Sequence, residues 1–167
     1  MTPGESWAAT FSPCEKYRYT LIRRWSDLPL LNFLMLNPST ADAESNDPTV
    51  ERCYRRAKCN PDFGGLVVTN IFAFRSTDPK QLLKQEDPIG PGNDSAIQVN
   101  ALSAGMVVCG WGQHGSLRGR ANAVIELLLG VDLYALKVNK NGQPAHPLYQ
   151  SYQLEPTLWK EKKAVPT

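Results

Sequence analysis

The run Leu30-Leu31-Asn32-Phe33-Leu34-Met35-Leu36, broken at once by Asn37-Pro38-Ser39-Thr40-Ala41-Asp42, constrains the fold more than any other stretch. Its first part is almost wholly apolar, the pattern of a strand buried on both faces. Proline has no N–H to donate to a ladder, so that strand must stop near Asn37. A strand covered on both sides belongs in a parallel sheet between helices. Such sheets place their ligands beyond the carboxyl ends of their strands. The polar loop after Leu36 is therefore where an active site is expected to begin.

The remaining elements fit around this strand. Residues 1–15 contain Pro and Gly and read as an irregular N-terminal arm. Tyr17 to Trp25 is rich in strand formers and alternates imperfectly, which suits a first strand at an edge. Asp47-Pro48 is a helix start, and Val50, Cys53, Tyr54 and Ala57 give that helix one apolar face. Gly65 to Phe74 reads as a central strand, Lys80–Leu83 as a short helix and Ser95–Leu102 as a longer one. Met106 to Gly112 is a buried strand opening into a glycine-flexible loop. Ser116 can cap a helix whose face carries Leu117, Ala121, Val124, Ile125 and Leu128. Val131 to Leu136 is a last strand, and 156–167 reads as a C-terminal tail. Strands alternating with helices predict a three-layer α/β/α fold with a mainly parallel central sheet, a single domain over residues 1–167.

Composition removes several functions. A net charge of +2 does not by itself argue for nucleic acid, and no stretch is long and apolar enough to span a membrane. The opening residues lack the basic and apolar regions of a signal peptide, so a cytoplasmic monomer is expected. The four cysteines form no Cys-x-x-Cys pair, which suits neither zinc nor a disulfide framework. No glycine-rich phosphate loop and no nucleophile elbow is present, and no metal or cofactor is expected.

The polar residues left at strand ends carry the chemistry. Asn70 interrupts an apolar strand, and a buried amide needs donor and acceptor both satisfied. It reads either as a ligand contact or as an amide bonded to neighbouring backbone. His146 lies between two prolines in a loop, Asn37 before Pro38, and Trp111 between glycines.

Order and spacing make these more specific. Met35 to Asp42, Asn46-Asp47-Pro48-Thr49, Val68-Thr69-Asn70-Ile71-Phe72, Trp111-Gly112 and His146-Pro147-Leu148-Tyr149 resemble the uncharacterised family catalogued as domain of unknown function 1643. More distantly, the same landmarks resemble the uracil-DNA glycosylase superfamily, including its small mismatch-specific branch. That resemblance implies a uracil-DNA-glycosylase-like fold and a hydrolase excising a damaged or modified base from DNA. It implies that Asn37 holds the attacking water, that His146 supports the leaving base and that Asn70 reads the base edge. Ser39 belongs to the same first motif and would contact the base; Phe72, Phe74 or Tyr149 would stack on it. Asp42 is the nearby acid, although it does not match the water-activating Asp of the most active branch. Arg52, Arg55, Arg118 and Arg120 would hold phosphates, and Leu148 would wedge the duplex. Leu148-Tyr149 replaces a Ser-containing loop, and Leu36 stands where a small residue is frequent. The alternatives are an enzyme acting on free nucleosides or nucleotides, a non-catalytic reader of modified bases, and a fold relative without activity.

Overall fold

The computed structural model describes residues 1–164. Seven strands form one sheet in the order β1-β2-β4-β3-β5-β6-β7. They are β1 (Ser6–Phe11), β2 (Arg18–Arg24), β3 (Leu30–Met35), β4 (Gly65–Asn70), β5 (Met106–Cys109), β6 (Leu133–Ala135) and β7 (Thr157–Lys160). β4, β3, β5 and β6 run parallel, and β1, β2 and β7 add antiparallel margins. Among the described residues three α-helices accompany them: α1 (Pro48–Lys58), α2 (Asn93–Ser103) and α3 (Arg120–Leu127).

The alternation of β3 divides the core in two. Leu31, Phe33 and Met35 point to one face, with Leu66 and Val68, and pack against Val50, Cys53 and Ala57 of α1. Leu34 and Leu36 belong to the other face, with Val107, Cys109 and Leu133, beneath Ile97 and Ala101 of α2 and Ala121, Val124 and Leu128 of α3. The small Cys53 and Ala57, both fully buried, let α1 lie close to the sheet. α1 also begins as its sequence requires. Asp47 caps it by accepting from the Val50 N–H at 2.9 Å, Pro48 occupies the first turn, and Glu51 faces the positive end of the dipole.

Several elements differ from the sequence reading. The expected irregular arm contains β1, which pairs along the whole of β2, so β2 is not at the edge. Its exposed–intermediate alternation is the pattern of a marginal strand, which Pro3, Gly4 and Pro13 around it obscured. The tail likewise supplies β7, paired with β6; residues 165–167 of that tail lie outside the described segment. β4 stops at Asn70 rather than continuing to Phe74, because Ala73 and Phe74 turn their N–H groups to the carbonyls of Ile89 and Pro88. α2 begins at Asn93, ahead of Ser95. α3 begins at Arg120 without a Ser116 cap: Arg118 and Gly119 take positive φ values of 55° and 65°, which break the helix the apolar spacing suggested.

β3 leads through α1 to β4 on one side, and the chain then crosses back to place β5 on the other side of β3. The carboxyl ends of β3 and β5 therefore flank a topological switch point, where two loops diverge and leave a crevice.

Candidate functional site

A cavity of about 750 Å3 opens at that switch point. Asn37 and Ser39 enter it from the loop after β3, Trp111, Gly112 and His114 from the loop after β5, and His146, Leu148 and Tyr149 from the segment following β6.

Asn37 is fixed by its own neighbours. Its Nδ2 donates to the Ser76 carbonyl at 2.8 Å and to the Pro38 carbonyl at 3.1 Å. Both amide protons are thus committed to acceptors that cannot donate. The Oδ1 left over is an acceptor, and Asn37 lines the cavity.

His146 is fixed as tightly. Its Nδ1 accepts from the Leu148 N–H at 3.3 Å, which leaves the ring proton of neutral imidazole on Nε2. Burial pushes its pKa below 6.5, and the Asp47 carboxylate opposes that only in part. Near neutral pH this ring is uncharged and carries a donor at Nε2. Its loop is held from beneath: Arg52 of α1 donates to the carbonyls of Pro147 and Gln150, and Arg56 donates to those of Gln150, Ser151 and Leu154. From the sheet side Gly110 allows close approach, since a Cβ there would lie 2.9 Å from the Pro147 ring.

Trp111 is a wall rather than a reactive group. It is buried, donates from Nε1 to Gln143 Oε1 at 2.6 Å and meets Trp159 edge-on. Gly115 lies flat against it; an added Cβ would fall 1.9 Å from the indole. Gly112, at φ 75°, turns the backbone into the cavity wall. Tyr149 is 82% exposed at the rim, its ring 6.1 Å from that of His146.

The structure therefore brings Asn37, Ser39, His146, Leu148 and Tyr149 to one cavity. The other residues singled out from the sequence lie elsewhere. Asn70 is buried with its Oδ1 accepting from Arg18 at 3.4 Å, and it does not line the cavity. Phe72 is fully buried in the core cluster that includes Ile97 and Ala101, and it does not line the cavity. Asp42 closes its own loop: Oδ1 accepts from the Glu44 and Ser45 N–H groups and the Ser45 hydroxyl, and these bonds hold its carboxyl below the usual range. Arg118 donates to the carbonyls of Leu83, Gln85 and Glu86. Arg120 is buried against the Ile71 carbonyl and Asp94. Of the nominated arginines Arg55 and Arg118 are exposed, and Arg55 pairs with Glu51 one turn back.

Of the other lining residues Thr49 belongs to the Asn46–Thr49 stretch that carries the family resemblance, while His114, Asn139, Lys140 and Asn141 carry no sequence signal of their own. His114 follows the Trp-Gly turn, Thr49 sits in the first turn of α1, and Asn139, Lys140 and Asn141 form a loop between Val138 and Pro144. Polar loop residues look alike in sequence whether they face a ligand or bulk water. Two buried arginines also shape the site's surroundings. Arg18 donates to the Ala41 carbonyl and Arg23 to those of Asp42 and Ser45, and burial lowers the pKa of each to about 10, still leaving them charged. They brace the loop between Asn37 and α1.

A larger hollow of about 900 Å3 lies between α1 and residues 152–156 over Leu31, Phe33 and Leu136. It shares only Arg55 with the residues nominated above. Among the described residues no three His, Cys, Asp or Glu gather to hold a metal ion, and no helix is long and apolar enough to cross a membrane.

Fold and site together define a mixed α/β protein with a polar crevice at the switch point of a mainly parallel sheet. The chain belongs to the family described as "Protein of unknown function (DUF1643)", whose profile matches residues 18–148. The match begins at the buried Arg18 and ends at Leu148, so it takes in both arms of the crevice. No curated protein and no solved structure matches the chain.

Proposed function

We propose that the crevice binds a nucleobase and that the protein is a nucleobase-recognising hydrolase of uracil-DNA-glycosylase-like fold, cleaving the N-glycosidic bond of a damaged or modified base. One observation carries this reading. Asn37 offers an acceptor whose orientation is forced by two carbonyls, and His146 offers a donor whose tautomer is forced by a backbone N–H, on the walls of one cavity. Breaking the bond builds positive charge on the sugar and negative charge on the departing base. Asn37 Oδ1 holds a water against the first, and His146 Nε2–H stabilises the second without transferring a full charge of its own. Tyr149 supplies an aromatic face at the rim.

Among the described residues no Asp or Glu lines the crevice, so the water has no strong base beside it. The reaction then rests on position and on stabilising the leaving base, and it is expected to be slow.

A second substrate class has an observation in its favour. Arg52, Arg118 and Arg120 spend their guanidinium groups on the protein's own carbonyls and on Asp94, which weakens the case that these three follow a DNA backbone. A free nucleoside or nucleotide needs no such track.

The test is release of free base, followed chromatographically, from duplexes containing uracil, hypoxanthine, hydroxymethyluracil or modified cytosines and from the matching free nucleosides and nucleotides. Base release abolished by Asn37→Ala supports hydrolysis. Binding that survives Asn37→Ala with no base released from any substrate identifies a reader instead, and neither binding nor release removes the nucleobase reading.

A further inference from the structure

The lining of the crevice carries two chemically different sets of groups. Asn37, His146 and Tyr149 present a fixed acceptor, a fixed donor and a ring. His114, Asn139, Lys140 and Asn141 each carry an N–H that can donate to an anion, and Lys140 adds a positive charge. Lys140 is the one Lys or Arg on the lining among the described residues, and no carboxylate on that lining opposes it. Lys140 is exposed, and with no acidic residue on the lining its ammonium adds positive potential to the crevice. The cavity's volume is that of a site for one small molecule, not of a channel for a polymer.

Resting on the nucleobase reading above, we propose that the substrate is a free nucleoside 5′-monophosphate, with its phosphate held by Lys140 and His114. The loop bearing Lys140 is set for this by the protein's own bonds. Asn139 N–H donates to the Gln143 carbonyl at 2.8 Å and Gly142 N–H to that of Asn139 at 2.9 Å, which closes the turn. Gln143 then accepts from Trp111 and ties the turn to the end of β5, beside His114. One lysine makes one charge-assisted contact with one phosphate; a duplex would require several. Selectivity for a monophosphate follows from that count, since a longer chain of phosphates finds no second cation on the lining.

The experiment is calorimetric titration of the full chain with the common nucleosides and 2′-deoxynucleosides, their 5′-monophosphates and 5′-triphosphates, inorganic phosphate and a single-stranded oligonucleotide. For at least one base the monophosphate is expected to bind about tenfold more tightly than its nucleoside, and Lys140→Ala is expected to bring that ratio close to one. Affinity for the monophosphate should fall as salt rises, because screening weakens the ammonium–phosphate attraction, whereas affinity for the nucleoside should hardly change. Nucleoside and monophosphate of equal affinity overturn the phosphate site while leaving the base pocket standing. So does an oligonucleotide that binds more tightly than any monophosphate and loses affinity steeply with salt. Binding of inorganic phosphate alone, with no nucleoside or nucleotide bound, instead removes the nucleobase reading and this proposal with it.

Discussion

Asn37 and His146 both line the crevice, and each has one side-chain atom spoken for by the backbone and one with no hydrogen-bond partner among the described residues. For Asn37→Ala we expect base release to fall by roughly 100-fold, the usual cost of losing an aligned polar group at a reacting centre. Stability should fall by about 1–2 kcal/mol as the Ser76 carbonyl loses its partner, measured by urea unfolding. His146 makes a pH prediction. Its folded pKa lies below 6.5, so activity carried by the neutral ring should persist as pH falls past 6.5 and drop only below that. The unfolded chain binds a proton more readily than the folded one. The stability this group contributes is therefore complete above pH 6.5 and lost as pH falls through the folded value. His146→Gln should flatten that acid-side loss in unfolding measured across pH. The same residues show what the sequence could say. Asn37 and His146 stood out because polar groups at strand ends beside prolines are conspicuous. Asn70 stood out equally, yet its partner, Arg18, is 52 residues away and nothing local announces it.

At the scale of elements, α1 was legible throughout: its cap, its proline and its apolar spacing all agree with one helix. Its arginines were not. Arg52 and Arg56 look like a basic surface patch in sequence. In the fold they reach across to a loop about a hundred residues on and hold the segment that carries His146. Arg52→Met is expected to cost about 2 kcal/mol and to raise hydrogen exchange selectively at residues 147–151, with activity falling because His146 loses its support. At the end of β5 the flatness of Gly115 against Trp111 makes a second element-scale prediction. Gly115→Ala must displace the indole and should lower stability by about 2 kcal/mol or more, visible as a red-shifted tryptophan emission.

Across the whole molecule, β1 ties the margin of the sheet to α1 through Glu5. Its carboxylate pairs with Lys58 and accepts from Thr2, Trp7 and Tyr54. Burial would raise its pKa, but these bonds outweigh that and hold it at about 2. The stability it contributes is therefore present above pH 4.5 and lost as pH falls from there towards 2. Glu5→Gln should lower stability at neutral pH by about 2 kcal/mol and lessen the acid-induced loss, read from melting curves between pH 2 and 7. What the sequence determined by itself was the central architecture: buried strands, the helices between them and the polar loops at their ends follow from periodicity, proline and capping, which act over a few residues. What only the tertiary structure decided was which strand-end residues share a cavity and which arginines are already occupied. Those outcomes depend on partners brought together by the β3–β5 crossover and by loops about a hundred residues apart, and a local pattern carries no record of them.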